Sequence, residues 1–151
     1  MKSVLLYVND DSGLDARYQA ALDLTRALEG HLHCLRANPY QPQMAFDGVT
    51  GMSVMYDISR YALEADTLLK AEIEKRLAGE DVPWDYHTAN AEPARGLSRS
   101  SALTDLIVLS SCSGIKDNTE PLGILGDVVF NTNIPVIVQP DSLKKFDAAG
   151  P

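Results

Sequence analysis

The segment from residue 105 to residue 140 constrains the fold more than any other part of the sequence. It contains the apolar run DLIVLSS, a loop of small residues, a short apolar stretch at helical spacing, and a second apolar run, NIPVIV. Runs that are apolar throughout are typical of strands buried on both faces of a parallel sheet. A loop that leads from such a strand into a helix is a common phosphate-binding position. The segment therefore predicts a parallel α/β sheet and a candidate nucleotide site in this loop.

The rest of the chain alternates between strand and helix patterns. Together with the two runs above, apolar runs predict five strands, at residues 3–8, 31–37, 84–88, 105–109 and 134–138. Helical spacing of apolar residues predicts helices at residues 14–28, 56–78, 95–103 and 122–131. Residues 38–55 show no clear period and predict a long mobile loop. The alternation predicts an α/β fold with right-handed crossovers, in which residues 141–151 form a flexible tail.

Composition excludes several classes of partner. The chain has 151 residues, 45% of them hydrophobic, and a formal net charge of −8. This charge argues against a surface that binds nucleic acid or anionic lipid. No apolar run approaches the roughly 20 residues that span a bilayer, and the first residues do not have the pattern of a signal peptide. Two cysteines, Cys34 and Cys112, do not make a disulfide framework, so a reducing cytoplasmic setting is expected.

Three parts of the chain together resemble the universal stress protein family. Residues 4–37, VLLYVNDDSGLDARYQAALDLTRALEGHLHCLRA, are similar to its opening strand, acidic turn, helix and second strand. Residues 91–94, AEPA, resemble its turn after the third strand, and DLIVLSS with NIPVIV resembles its last two strands. The resemblance implies a Rossmann-like three-layer sandwich of the adenine nucleotide alpha hydrolase type. Its five-stranded parallel sheet would have the order 3-2-1-4-5, with residues 1–140 forming a single domain.

The resemblance also implies a place for a nucleotide. ATP-binding members of the family carry G-x2-G-x9-G-[S/T] after the fourth strand, which falls here on Ser110, Ser113, Gly123 and Ile124. A reading shifted by one residue places Ser111 and Gly114 at the first two positions. The family's aspartate after the first strand falls on Asn9, beside Asp10. The candidate nucleotide-binding residues are thus Val8, Asn9, Asp10, Ala37, Ser110, Ser113, Gly114, Gly123 and Ile124.

These departures from the family pattern weaken the expected nucleotide site. Serine in place of a left-handed glycine costs on the order of 1 kcal/mol and brings a Cβ towards the ligand. Isoleucine at position 124 removes a hydroxyl donor whose hydrogen bond to phosphate would contribute roughly 1–3 kcal/mol. Asp117 and Glu120 add negative charge to the same loop. The sequence therefore predicts no robust ATP binding and no cofactor, with ATP or AMP as the alternative ligand.

No catalytic residues are predicted. The G-x-S-x-G pattern of α/β-hydrolases and the G-x-x-x-x-G-K-[S/T] phosphate loop do not occur in the sequence. The paired carboxylates Asp10 and Asp11 follow the first strand, where we expect them to cap the next helix. Serines 110, 111 and 113 could still donate hydrogen bonds to an anion. The alternative function is therefore a protein that binds ATP or AMP and hydrolyses it weakly or not at all. A non-catalytic role is favoured.

No metal site is predicted either. His31 and His33 lie on one face of a strand, but His87 is the remaining histidine and no Cys–His cluster accompanies them. Cys34 alternates with these histidines and is expected to pack in the core. Cys112 has no basic neighbour in the sequence and is expected to be an unreactive thiol.

The residues and the resemblance lead to one favoured function. It is a non-catalytic stress-response domain that forms a homodimer through its last strand, with Ile134, Val136 and Val138 at the dimer edge. A protein partner of unknown identity is compatible with this reading, whereas nucleic acid and membrane are not expected. The alternative is a nucleotide-binding member of the family. A receiver-like signalling domain is less favoured, because neither the acceptor aspartate nor the lysine of that fold is convincingly placed.

Overall fold

Parallel strands form the centre of the protein in the computed structural model, which describes residues 2–38, 48–111, 123–143 and 145–148, with the backbone alone for residues 48–59. The strands are β1 (Ser3–Tyr7), β2 (His31–Ala37), β3 (Trp84–Ala89), β4 (Leu106–Ser110) and β5 (Val136–Gln139). The helices are α1 (Leu14–Ala27), α2 (Gly48–Leu77), α3 (Pro93–Ser100) and α4 (Gly123–Asn131), and a single 3-10 turn, Ser101–Leu103, follows α3. Pro93 occupies the first turn of α3, where its missing N–H needs no partner.

The strands pair in the order β3-β2-β1-β4-β5, and each pair is parallel. The chain moves from β1 to β2 to β3 in one direction, then returns past β1 to β4 and β5. Right-handed crossovers therefore place α1 on one face of the sheet and α3 with α4 on the other. The predicted fold class and strand order are confirmed.

Alternation along the strands divides the core between these two faces. On the face of α3 and α4, strand residues pack with Leu97 of α3 and Val128 of α4; they are Leu5, Tyr7, Leu35, Ala37, Ile107 and Leu109. The residues between them, such as Val4, Leu6 and Cys34, are also fully buried, which explains why the strands are apolar throughout. Gly96 lets α3 approach β2 closely, since a methyl group there would lie 2.9 Å from the Ala37 Cβ.

The chain divides into two compact units, one formed by residues 1–39 with 81–151 and the other by residues 40–80. The second unit contains α2, in which Leu69, Ile73 and Leu77 recur at helical spacing and are buried. Among the described residues, no helix is both long enough and apolar enough to cross a membrane.

The helix α2 corrects the prediction of a loop at residues 38–55. Its first turns begin at Gly48, so residues 48–55 are helical, and residues 39–47 lie outside the described part of the chain. The loop was predicted because this stretch, which includes Gly48 and Gly51, shows no clear apolar period. Each glycine destabilises a helix by only about 1 kcal/mol, and each added residue extends a helix already nucleated by its neighbours.

Candidate functional site

β1 and β4 are neighbours in the sheet, and strands are added on one side of β1 up to β3 and on its other side from β4 onwards. The connection after β1 leads to one side and the connection after β4 leads to the other. In open α/β sheets, the crevice between two such connections is the usual ligand site. Here its described walls are residues 8–13 after β1, Ser110 at the end of β4 and Ser111 after it. We call this the switch-point crevice.

A buried ion pair lies at this crevice. The Arg17 guanidinium donates from Nη1 to Oδ1 of Asp11 at 2.8 Å and from Nη2 to Oδ2 at 3.0 Å. Both side chains are inaccessible to solvent, with exposed fractions of 0% and 1%. A bidentate pair of this kind is among the strongest side-chain contacts, because two charge-assisted hydrogen bonds share one planar geometry.

Arg17 also connects the ends of the two strands. Its Nε donates to the carbonyl oxygen of Tyr7 at 3.1 Å, and Nη1 donates to Oγ of Ser110 at 2.6 Å. A weaker contact of 3.3 Å joins Nη2 to the carbonyl oxygen of Asn9. All three nitrogens of the guanidinium therefore donate hydrogen bonds to the protein itself. These bonds offset the free-energy cost of burying the cation.

The loop between β1 and α1 is held closely against this pair. The Gly13 N–H donates to Oδ1 of Asp11 at 2.9 Å, and the Asn9 amide donates to Oδ2 at 2.9 Å. The Asn9 side-chain oxygen in turn accepts a hydrogen bond from Nη1 of Arg36. The sequence predicts that Asp10 and Asp11 cap α1, but the structure differs at Asp11. Instead its side chain is held by Arg17, and Gly13 is the N-cap, without a side-chain hydrogen bond.

Asp141 closes the crevice from the end of β5. Its carboxylate accepts hydrogen bonds from Ser12 Oγ at 3.2 Å and from Ser111 Oγ at 3.5 Å. Gly13 lies beside it, and a methyl group at position 13 would approach Ser110 Oγ and lie 2.7 Å from Asp141 Oδ1. Within the described part of the chain, the side chains of Arg17, Ser110 and Asp141 thus lie in the space between the two strand ends.

The structure brings some of the predicted nucleotide residues together. Val8 and Ser110 are buried at adjacent strand ends, and Asn9 reaches Arg36, the neighbour of Ala37. Ile124 packs against the core on the face of α3 and α4, which agrees with its apolar side chain. Ser113 and Gly114 lie outside the described residues, as does Cys112. Gly123 is the first residue of α4.

Sequence reasoning missed Arg17 and Asp141. A weak signal existed for Arg17, because it lies beside Leu14, Tyr18 and Ala21 on the stripe that α1 buries. A charged residue within an apolar stripe indicates a buried partner, here Asp11. Asp141 gave no comparable signal, since it follows the last strand among polar residues.

Cys34 is fully buried, which confirms the prediction that it packs in the core. Burial, with a smaller contribution from the negative charge of Asp85, raises the pKa of its thiol to about 12. The thiol is therefore protonated near neutral pH, and a role as a nucleophile is unfavourable.

Comparison with known proteins adds to this geometry. No protein-family model and no curated protein matches the sequence. Solved structures do match, including the universal stress protein UspA from Lactobacillus plantarum, at a TM-score of 0.73 and 14% identity over 91% of this chain and 97% of that one. The chain has the universal stress protein fold.

Two other universal stress proteins with this fold were solved with nucleotides. One is a complex with cAMP, at a TM-score of 0.58 and 16% identity over 93% of this chain and 98% of that one. The other is from Archaeoglobus fulgidus, in complex with dAMP, at a TM-score of 0.52 and 13% identity over 92% and 98%. At identities of 13% and 16%, the similarity to these structures establishes the fold of this chain. It is the fold that the sequence resemblance implied.

Proposed function

We propose that this protein is a cytoplasmic member of the universal stress protein family that acts as a non-catalytic binding domain, without robust ATP binding. The observation that carries the proposal is the Arg17–Asp11–Ser110 network in the switch-point crevice. An arginine in a phosphate site supports binding when its donors face the ligand. Here the donors of Arg17 face Asp11, Ser110 and two backbone carbonyl groups.

Electrostatics supports the same conclusion. The crevice contains the carboxylates of Asp11 and Asp141, and Asp10 lies in the same loop. The two arginines described there are bonded to the protein itself, Arg17 to Asp11 and Arg36 to Asn9. A triphosphate would therefore meet negative charge where positive charge or open N–H groups are required.

Calorimetric titration tests this proposal directly. We expect no saturable heat with Mg²⁺ and ATP, AMP or cAMP up to about 1 mM, which corresponds to a binding free energy weaker than about −4 kcal/mol. Saturable binding in the micromolar range would overturn the proposal. Replacing Asp141→Asn should strengthen any residual affinity for ATP. Asp127→Asn, on the exposed side of α4, is the matched control and should leave that affinity unchanged.

A second candidate function is nucleotide binding with weak or no hydrolysis. It is favoured by the two structural neighbours that were solved with cAMP and dAMP. The serine hydroxyls near the crevice can donate to a phosphate, and a monophosphate carries less negative charge to be repelled by Asp11 and Asp141 than a triphosphate does. The titration separates the two candidates, because a monophosphate binder would saturate with AMP or cAMP while showing little response to ATP.

We further propose a homodimer formed through β5. This strand is at the edge of the sheet and pairs with β4 on one side. Val138 is 39% exposed, and Phe130 of the neighbouring α4 is 89% exposed. An apolar edge strand beside an apolar helix residue is a surface that a second copy can cover. Val136 and Ile134 are partly buried against the core and contribute less, and Ile134 lies before the first residue of β5.

A further inference from the structure

A cluster of three histidines and one aspartate lies on the sheet, away from the switch-point crevice. β2 and β3 pair in register so that His33 is opposite Asp85 and Leu35 is opposite His87. His31 and His33 are two residues apart on β2, as are Asp85 and His87 on β3, so all four side chains are on one face. The cluster begins at the amino end of β2, whereas the crevice is at the carboxyl ends of β1 and β4.

The three imidazoles converge on a single carboxylate. His31 Nε2 lies 2.9 Å from Oδ2 of Asp85, and His33 Nδ1 lies 2.8 Å from the same oxygen. His87 Nε2 lies 3.1 Å from Oδ1. The rings of His31 and His33 are 4.6 Å apart between centroids, with an angle of 40° between their planes. Burial acts to raise the pKa of Asp85, but hydrogen bonds from His33 and His31 outweigh it and leave that pKa below its usual value.

We propose that His31, His33 and Asp85 bind a zinc ion, with His87 available as a fourth ligand. The ligand atoms of the first three residues lie within 4.8 Å of one another. Around a tetrahedral zinc ion with bonds of about 2.0–2.2 Å, two ligand atoms are about 3.4 Å apart. Side-chain rotations that bring the ligand atoms closer by up to about 1.5 Å would therefore close the site.

The donor set selects the class of metal. Imidazole nitrogen with one carboxylate suits Zn²⁺ and its neighbours among the transition metals, whereas Mg²⁺ and Ca²⁺ prefer sets made of oxygen. A histidine binds the ion through a ring nitrogen that carries no proton, with the proton of the neutral ring on its other nitrogen. The spacing of the histidines alone predicts no metal site, and the parallel register of β2 with β3, which adds Asp85, is the ground for proposing one.

The surroundings leave the cluster open to solution. The side chains of His31, His33 and Asp85 are 22%, 27% and 34% exposed. A cleft of about 280 Å³ adjoins the cluster, lined by His33 and His87 together with Leu103, Thr104 and neighbouring residues. A site with three protein ligands beside an open cleft can hold a water molecule or a small ligand in its fourth position.

The test uses zinc alone, in competition with a chromophoric chelator, on protein first stripped with EDTA. The full chain carries Cys112→Ser in every sample, so that the Cys112 thiol cannot compete for the ion. We expect one zinc ion per chain with a Kd in the low micromolar range or below. Excess Mg²⁺ or Ca²⁺ should not displace it, and Co²⁺ should give visible ligand-field bands.

Matched variants assign the binding to the cluster. His33→Gln and Asp85→Asn should each weaken zinc binding by about 100-fold or more, since outer-shell partners alone are worth about 10- to 100-fold. Asp81→Asn removes an exposed carboxylate just before β3 and should change the Kd by less than about twofold. Circular dichroism with urea unfolding checks that each variant is folded. The proposal is overturned if zinc does not saturate the protein by about 100 µM, or if both cluster variants bind it as the parent does.

Discussion

Arg17 and Asp11 form a bidentate ion pair that solvent does not reach, with its hydrogen bonds at 2.8 and 3.0 Å. The pair joins the first turn of α1 to the loop after β1, and Ser110 extends it to β4. A buried pair of this kind does not by itself add much stability over a well-packed apolar pair. Removing either partner, however, is strongly destabilising, because the other is left charged and buried without its counter-ion.

Arg17→Met should therefore be strongly destabilising. It leaves the Asp11 carboxylate buried without its cation and removes a donor from the Tyr7 carbonyl group and from Ser110. We expect a loss of about 3–5 kcal/mol in the free energy of unfolding, measured by urea denaturation. Arg26→Met is the control, because Arg26 is 35% exposed and should lose less than about 1 kcal/mol. Equal losses in the two variants would contradict this account of the pair.

Gly13 and Gly126 should respond in opposite directions to alanine. Gly13→Ala places a methyl group against Ser110 and Asp141, which should destabilise the fold by about 1–3 kcal/mol. Gly126 is within α4, and no described atom lies within 4 Å of the position a methyl group would occupy. Gly126→Ala should stabilise by about 0.5–1 kcal/mol through helix propensity. Thermal unfolding of the pair checks the prediction, and a stable Gly13→Ala variant would show that the crevice has room.

The fold could be predicted because each buried strand is recognisable from its own apolar sequence. Runs such as SVLLY are apolar on both faces, and that pattern requires cover on each side of the sheet whatever the partners are. The start of α2 could not be predicted, because residues 48–55 have no clear apolar period of their own and extend the helix that follows them.

The candidate sites could be predicted only in part, since they depend on pairing between distant segments. Arg17 and Ser110 are 93 residues apart in the sequence, and His33 and Asp85 are 52 apart. No local sequence pattern predicts either contact. Strand order brings the first pair together, and the register of β2 with β3 brings the second.

The pKa of Asp81 offers a local test of the structure around the start of β3. The carboxyl of Asp81 is exposed, and its pKa is lowered from the usual 3.8. The larger cause is a hydrogen bond of 2.7 Å from Arg26 Nε, and the smaller is a hydrogen bond from the backbone of Asp81 itself. Because the folded pKa is depressed, the interaction favours folding above the unfolded pKa and is lost as the pH falls through the folded value. Carboxyl NMR titration should find a pKa below 3.8. Arg26→Gln should bring it back towards that value, and an unchanged pKa would argue against the contact.

Val138→Asp should convert the proposed dimer to a monomer. Val138 is the exposed apolar residue of the edge strand, so a dimer formed there would bury the new carboxylate in an apolar interface, which is strongly unfavourable. Light scattering after size exclusion should give a dimer for the parent chain at about 10–100 µM, a range in which micromolar association is observable, and a monomer for the variant. Leu68→Asp is the control, because Leu68 is 72% exposed on α2 and is not part of the edge. A monomeric parent chain, or a dimer that tolerates Val138→Asp, would rule out assembly through β5.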